Sequence, residues 1–269
     1  MDILKRSLAP VTDRAWKEID DQATRSIKGN LSARRLVDFS GPHGWTLGAI
    51  NTGRLEIAES KLIKGVSWGL RKALPLVEIR VPFALKQMEI DSVERGLKAP
   101  DLEPVHAAAV KSAIFEETAL YHGFAEAGVE GIIPSSPHKA IDLGTGVGRY
   151  MEAVEKAVLT IQKAGIGGPY NFILGTVAYS TLMQGDDRGY PLKKRILGVL
   201  DGGDLFWSPV IEGGVVLSSR GGDFELTVGQ DFSIGYAAHS REEVELYITE
   251  TFTFQVLEPA AAVALTCKK

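Results

Sequence analysis

From Val244 to Val256 the chain keeps a two-residue rhythm for thirteen positions. Val244, Leu246, Ile248, Phe252, Phe254 and Val256 fall on one face, and Glu245, Thr249, Thr251, Thr253 and Gln255 on the other. A period of two marks a β-strand with one buried face. At roughly 3.3 Å per residue such a strand reaches about 43 Å, around twice the ordinary length. It is a spine along which other elements must be arranged. Just upstream, Phe224, Leu226 and Val228 alternate in the same way, and Phe232, Ile234 and Tyr236 continue the pattern after the Gly229-Gln230 break. Glu250 is the one charge on the apolar face of the long strand. A carboxylate there needs a partner or a solvated boundary, and a structural ion pair is expected.

The remainder of the chain reads in blocks. Thr12 is a helix N-cap with Asp13 in the first turn, and Trp16, Ile19, Ala23, Ile27 and Leu31 follow at helical spacing. Residues 48–72 hold two strand-like pieces, 54–58 and 66–70, joined by a polar turn. A lone two-stranded arm is marginal in water, so it packs on its own domain or is donated to a neighbouring subunit. Residues 74–89 are strand-rich, with Pro75 and Pro82 arguing against an interior strand. An Ala-rich helix is predicted over 102–127, stopped by Gly128, then a Pro- and Gly-punctuated connection over 131–148 and a helix over 150–164 closed by Gly165. A short strand at 171–174, helices at 176–183 and 192–200 around a turn at 185–189, and strands at 205–209 and 214–218 complete the middle. Strands gather at both ends and helices between them, which predicts an α+β fold and not a doubly wound sheet.

Composition excludes several functions. Net charge is −4, and basic residues are scattered apart from short runs such as Lys193-Lys194-Arg195, so no nucleic-acid footprint is expected. No apolar run is long enough for a membrane span, and no secretory leader is expected. The single cysteine, Cys267, fits a reducing compartment. The segment Asp142-Leu143-Gly144-Thr145-Gly146-Val147-Gly148 matches the first glycine turn of SAM-dependent methyltransferases, which is the enzyme alternative. No acidic residue closes the next strand, however, and no regular βαβ train surrounds it. Glu103 and His106 have the spacing of a di-iron ligand pair, but only one such pair exists. The histidines are dispersed, and neither an HExxH nor a GxSxG signature occurs. Neither a catalytic residue nor a metal site is expected.

Several blocks carry a family resemblance: LKRSLAPVTDRAWKEID (residues 4–20), GPHGW (41–45), WGLRKALPLVEIRVPF (68–83), VERG (93–96), GPY (168–170), RGGDFELTVGQDFSIGY (220–236) and ITETFTFQV (248–256). In this order they resemble type 1 encapsulins, nanocompartment shell proteins on the tailed-phage major capsid (Hong Kong 97-type) fold. The resemblance implies a P domain (1–47, 73–133 and 223–254), an E loop (48–72) that pairs with an adjacent subunit, and an A domain (134–222 and 255–269). It implies a homo-oligomeric icosahedral shell of about 60 subunits in T=1 symmetry. The implied setting is the cytoplasm, without nucleic-acid or membrane partners. The shell would enclose ferritin-like proteins or dye-decolourising peroxidases by their C-terminal targeting peptides, in iron storage or oxidative-stress defence.

Matched positions for peptide docking are Ile27, Leu31, Arg34, Asp38 and Ile234. Those for a five-fold pore are Gly185, Asp186, Asp187, Arg188 and Gly189. Some relatives stack a flavin on an aromatic residue where this chain has Met88, so no cofactor is expected. A viral head protein on the same fold is the second alternative.

Overall fold

The alternating segment becomes a single strand of 14 residues that organises the larger part of the molecule. The computed structural model describes residues 3–59, 61–144, 146–187 and 190–267. In chain order its elements are α1 (Asp13–Asn30), β1 (Asp38–Ser40), β2 (Ala49–Glu59), β3 (Ser67–Pro75), β4 (Val77–Lys86), α2 (Gln87–Glu94) and α3 (Glu103–His122). Then come α4 (Ile132–Ser135), β5 (Ile141–Asp142), α5 (Val147–Lys163), β6 (Tyr170–Leu174), α6 (Thr176–Gln184), β7 (Asp186–Asp187), β8 (Tyr190–Pro191) and α7 (Leu192–Val199). Last are β9 (Leu205–Trp207), β10 (Gly214–Ser218), β11 (Phe224–Val228), β12 (Ser233–His239), β13 (Glu243–Val256) and β14 (Ala262–Thr266).

β13 is flanked on both sides. β4 runs antiparallel along it from Val77 opposite Phe252 to Lys86 opposite Glu243. On the other side β11 and β12 sit in tandem, β11 against residues 252–256 and β12 against 244–249, with β1 parallel to β11 beyond. β4 is an edge strand, which is how Pro82, opposite Tyr247, is accommodated. The expected apolar face of β13 is buried from Val244 to Phe254, but Thr249, Thr251 and Thr253 on the other face are buried as well. Threonine is short, and two of the hydroxyls meet backbone: Thr249 Oγ1 donates to the Ile79 carbonyl at 2.8 Å and Thr251 Oγ1 accepts the Gln230 N–H at 2.7 Å. Burial of polar side chains is tolerated where such bonds are made.

The apolar face packs under α1, α2 and α3. Ile19, Ala23 and Ile27 of α1 meet Val105, Ala109 and Ala113 of α3 above Val244, Leu246 and Ile248. The Thr12 hydroxyl caps α1 by accepting the Ala15 N–H at 3.3 Å. A second sheet, ordered β5-β14-β10-β6-β9, forms the other core with α5, α6 and α7. β6 and β10 are buried at every residue. Each buried aliphatic or aromatic side chain contributes about 1.5–3 kcal/mol, so these two apolar layers are what hold the fold together.

α3 ends earlier than the sequence suggests. It stops at Gly123, where φ is 86°, and Gly128 closes the next short 3₁₀ turn instead. The Phe124 N–H then bonds back to the Val129 carbonyl at 2.9 Å. This return brings Gly131 so close that a Cβ there would lie 2.2 Å from the Gly123 nitrogen. The requirement is one of tertiary approach and not of helix propensity.

β2 and β3 form a separate two-stranded ribbon, longer than the pieces expected at 54–58 and 66–70. Among the described residues neither strand pairs with anything but the other. Ile57, Trp68 and Leu70 are 71%, 50% and 60% exposed, so the ribbon carries apolar side chains without a core beneath them.

A candidate peptide-docking groove beside a buried charge cluster

One groove, of about 490 Å³, lies between α1 and the β12–β13 pair. The distal part of the α1 stripe supplies its apolar wall, with Ala23, Ile27 and Leu31. Ile234 and Ile248 form the floor, and Thr24, Lys28 and Arg35 the rim. At one end Arg6 makes a two-pronged ion pair with Asp20 (3.0 and 2.7 Å) and stacks over Trp16. The backbone there is pinned by the Tyr236 N–H, which donates to the Leu4 carbonyl at 2.8 Å.

Arg34, on the short turn Ala33–Arg35, closes the other end. Its Nε donates to both Glu116 oxygens (2.9 and 3.0 Å) and its Nη2 to Glu116 Oε2 (2.6 Å). The same Nη2 pairs with Glu250 Oε1, and Nη1 reaches Asp231 Oδ1 at 2.9 Å. Phe232 and Phe39 flank the guanidinium. Glu116 and Glu250 are wholly buried. Burial would lower the Arg34 pKa, but its bonds to Glu116 and the charges of Glu116, Glu250 and Asp231 raise it overall. Burial pushes Glu250 well above the ordinary carboxylate range, the Glu116 charge adds to this, and Arg34 opposes it. The next residue, Glu117, faces its own set of donors: the Ser32 and Ala33 N–H groups, each at 2.7 Å, and the Ser32 and Ser208 hydroxyls, each at 2.8 Å. Burial raises its pKa against the pull of those bonds.

Four of the five expected docking positions, Ile27, Leu31, Arg34 and Ile234, line the one groove. Asp38 lies outside its lining. It sits in β1, where its carboxylate accepts the Gly222 N–H at 2.6 Å and fastens β1 to the loop before β11. The acidic partner of Arg34 at the groove is Asp231, which the sequence reading did not single out, and the buried partners include Glu116, which it also passed over. The signal is local: Glu116-Glu117 is an acidic pair set between Ala113-Ile114-Phe115 and Ala119-Leu120-Tyr121. Glu250 has the ion pair its position called for.

The remaining candidates are dispersed. Gly185 follows α6, and β7 pairs with β8 through Asp187 and Tyr190. Arg188 and Gly189 lie outside the described residues. The glycine turn after Asp142 follows a two-residue strand at the sheet edge, paired among the described residues with β14 alone, instead of a central parallel strand as methyltransferases require. Met88 is 71% exposed on α2. Among the described residues no cluster of three or more His, Cys, Asp or Glu side chains is placed to hold a metal, and His106 instead meets the Ser26 hydroxyl at 2.8 Å. Among those residues, too, no helix is long and apolar enough to cross a membrane.

A long helix laid across a sheet with an outsized strand, a projecting ribbon and a second mixed sheet define a capsid-type subunit. The chain is similar to the virus-like particle protein of Pyrococcus furiosus, with a TM-score of 0.66 at 12% identity over 93% of this chain and 98% of that one. It is also similar to the capsid of Myoviridae phage XM1, with a TM-score of 0.53 at 8% identity over 87% and 90% of the two chains. The fold is therefore the tailed-phage capsid fold in its α+β form.

The sequence profile described as encapsulating protein for peroxidase matches residues 1–253. The type 1 encapsulin shell protein of Mycobacterium tuberculosis is 41% identical over 266 residues, covering 99% of this chain and all of that one. Those of Brevibacterium linens (38%, covering 99% and 100%) and Rhodospirillum rubrum (40%, covering 98% and 96%) are similar over comparable lengths. The chain belongs to the type 1 encapsulin family. It is a structural, capsid-like shell protein that assembles with copies of itself, and not an enzyme.

Proposed function

We propose that the shell built from this chain encloses cargo enzymes by seating their C-terminal targeting peptides in the groove between α1 and β12. The observation that carries this reading is the convergence of Ile27, Leu31, Arg34 and Ile234 on one cavity. Apolar pockets edged by polar groups suit an extended peptide. The cargo is a peroxidase, in keeping with the family's description, or a ferritin-like protein, and the role is oxidative-stress defence or iron storage. The shell has about 60 subunits in T=1 symmetry and resides in the cytoplasm, with the P domain, E loop and A domain divided as the resemblance implies. It holds no resident cofactor; a flavin absorption band in purified shells would contradict this.

A reporter protein carrying the C-terminal segment of such an enzyme, co-expressed with the shell, tests the groove. Ile234→Glu is expected to abolish co-purification of the reporter. Because Ile234 is buried in the core, Thr24→Arg on the exposed rim is the second variant, expected to block loading while shells still form. Full loading of both variants would contradict the assignment.

The loop at 185–189 is proposed to line a five-fold opening that draws cations by its paired aspartates. Replacing Asp186 and Asp187 with Asn is expected to slow metal-ion entry, and unchanged uptake would refute a steering role.

A further inference from the structure

Two wholly buried carboxyl groups, Glu116 and Glu250, share one guanidinium under the end of the groove. Glu116 Oε2 and Glu250 Oε1 both accept from the same Arg34 nitrogen, Nη2. Glu250 Oε2 meets no donor among the described residues. Two ionised carboxylates that converge on one guanidinium nitrogen repel, and a proton bound at the Glu250 oxygen that lacks a donor relieves that repulsion. The charged groups around this pair are Arg34 from the turn after α1 and Asp231 from the loop before β12. Opposite Glu250 in β4 stands Ile79, which is uncharged, and Glu117 on α3 is held by its own donors.

We propose that a proton held on Glu250 controls docking in the groove, and that its loss as pH rises weakens the binding of an apolar targeting peptide. The inference rests on the reading of the groove as the peptide's seat. With the proton in place, Arg34 balances one buried carboxylate and still holds Asp231 through Nη1. When the O–H bond breaks and the proton leaves to solvent base, two buried negative charges compete for one guanidinium. Asp231, the most exposed of its partners at 41%, is then left less compensated beside Phe232 and Ile234. An apolar peptide must then desolvate an unpaired carboxylate in order to dock, which opposes binding. Glu250→Gln reproduces the protonated state, since the amide is neutral and keeps an acceptor for Arg34.

The test uses intact shells loaded at low density with a dye-labelled reporter that carries the C-terminal segment of a peroxidase. Fluorescence anisotropy then reads the docked and freely tumbling fractions as pH is raised stepwise from the ordinary carboxylate range upward. The docking constant of the unaltered shell is expected to fall with pH, by at most about tenfold per pH unit for one linked proton. Glu250→Gln and Asp231→Asn shells are each expected to give a flat profile. A flat profile in the unaltered shell, or the same decline in both variants, overturns the proton control and leaves the docking site standing. A reporter that tumbles freely at every pH in all shells overturns the docking reading and this inference with it.

Discussion

Arg34 Nη2 lies 2.6 Å from Glu116 Oε2, and through this contact the turn after α1 is locked to the middle of helix α3. The same nitrogen reaches Glu250 on β13, so one guanidinium joins three segments that are far apart in sequence. Removing it leaves the buried Glu116 and Glu250 side chains without a cation.

Arg34→Met is expected to destabilise the subunit by about 3–5 kcal/mol, the usual cost of stripping one partner from a buried ion pair. Thermal unfolding of purified shells at matched subunit concentration would register this as a lower midpoint. Adding Glu116→Gln and Glu250→Gln is expected to restore most of the loss, because the charges that needed Arg34 are then gone. No recovery in the triple variant would mean that Arg34 acts by packing alone.

The pH dependence of stability has a definite sign. Glu250 has a folded-state pKa raised well above the ordinary 4.5, chiefly through burial. In the window between that value and the raised one, the folded chain holds a proton that the unfolded chain has lost. Stability is therefore greatest below the window and declines as pH rises through it. Glu117, raised in the same direction, contributes likewise. Denaturation midpoints of Glu250→Gln are expected to vary less with pH across that window than those of the unaltered protein. Parallel curves for the two would contradict the assignment.

The ribbon gives an assembly prediction. Ile57, Trp68 and Leu70 are exposed on an arm that pairs with no other strand among the described residues. Ile57→Asp combined with Leu70→Asp leaves the body untouched and is expected to prevent shell closure, giving small species in sedimentation with near-normal circular dichroism. Full-sized particles from this variant would show that the ribbon makes no contact essential to closure.

What was legible in the sequence follows the periodicities. The two-residue rhythm gave β13, β11 and β12, and the helical stripe gave α1 with its Thr12 cap, because each of these elements has one face fixed by water and another by the core. The early end of α3 was not legible, since it depends on the approach of Gly131 to Gly123 from a different segment. Strands β5 and β14 were not foreseen either, because they are short and gain their place only by pairing with each other and with β10. At the site, the apolar wall could be read from the α1 stripe and Glu250 could be read as needing a cation. That the cation is Arg34, with Glu116 and Asp231 as its other partners, is a matter of three-dimensional packing that no local pattern encodes.

Self-assembly through the ribbon is read most directly from the native particle, its mass taken by sedimentation velocity and its form imaged by electron microscopy in dilute buffer. A closed, megadalton shell is expected, with the β2–β3 ribbon of each subunit covered by its neighbour. A small, compact species with that ribbon folded onto its own body would contradict it.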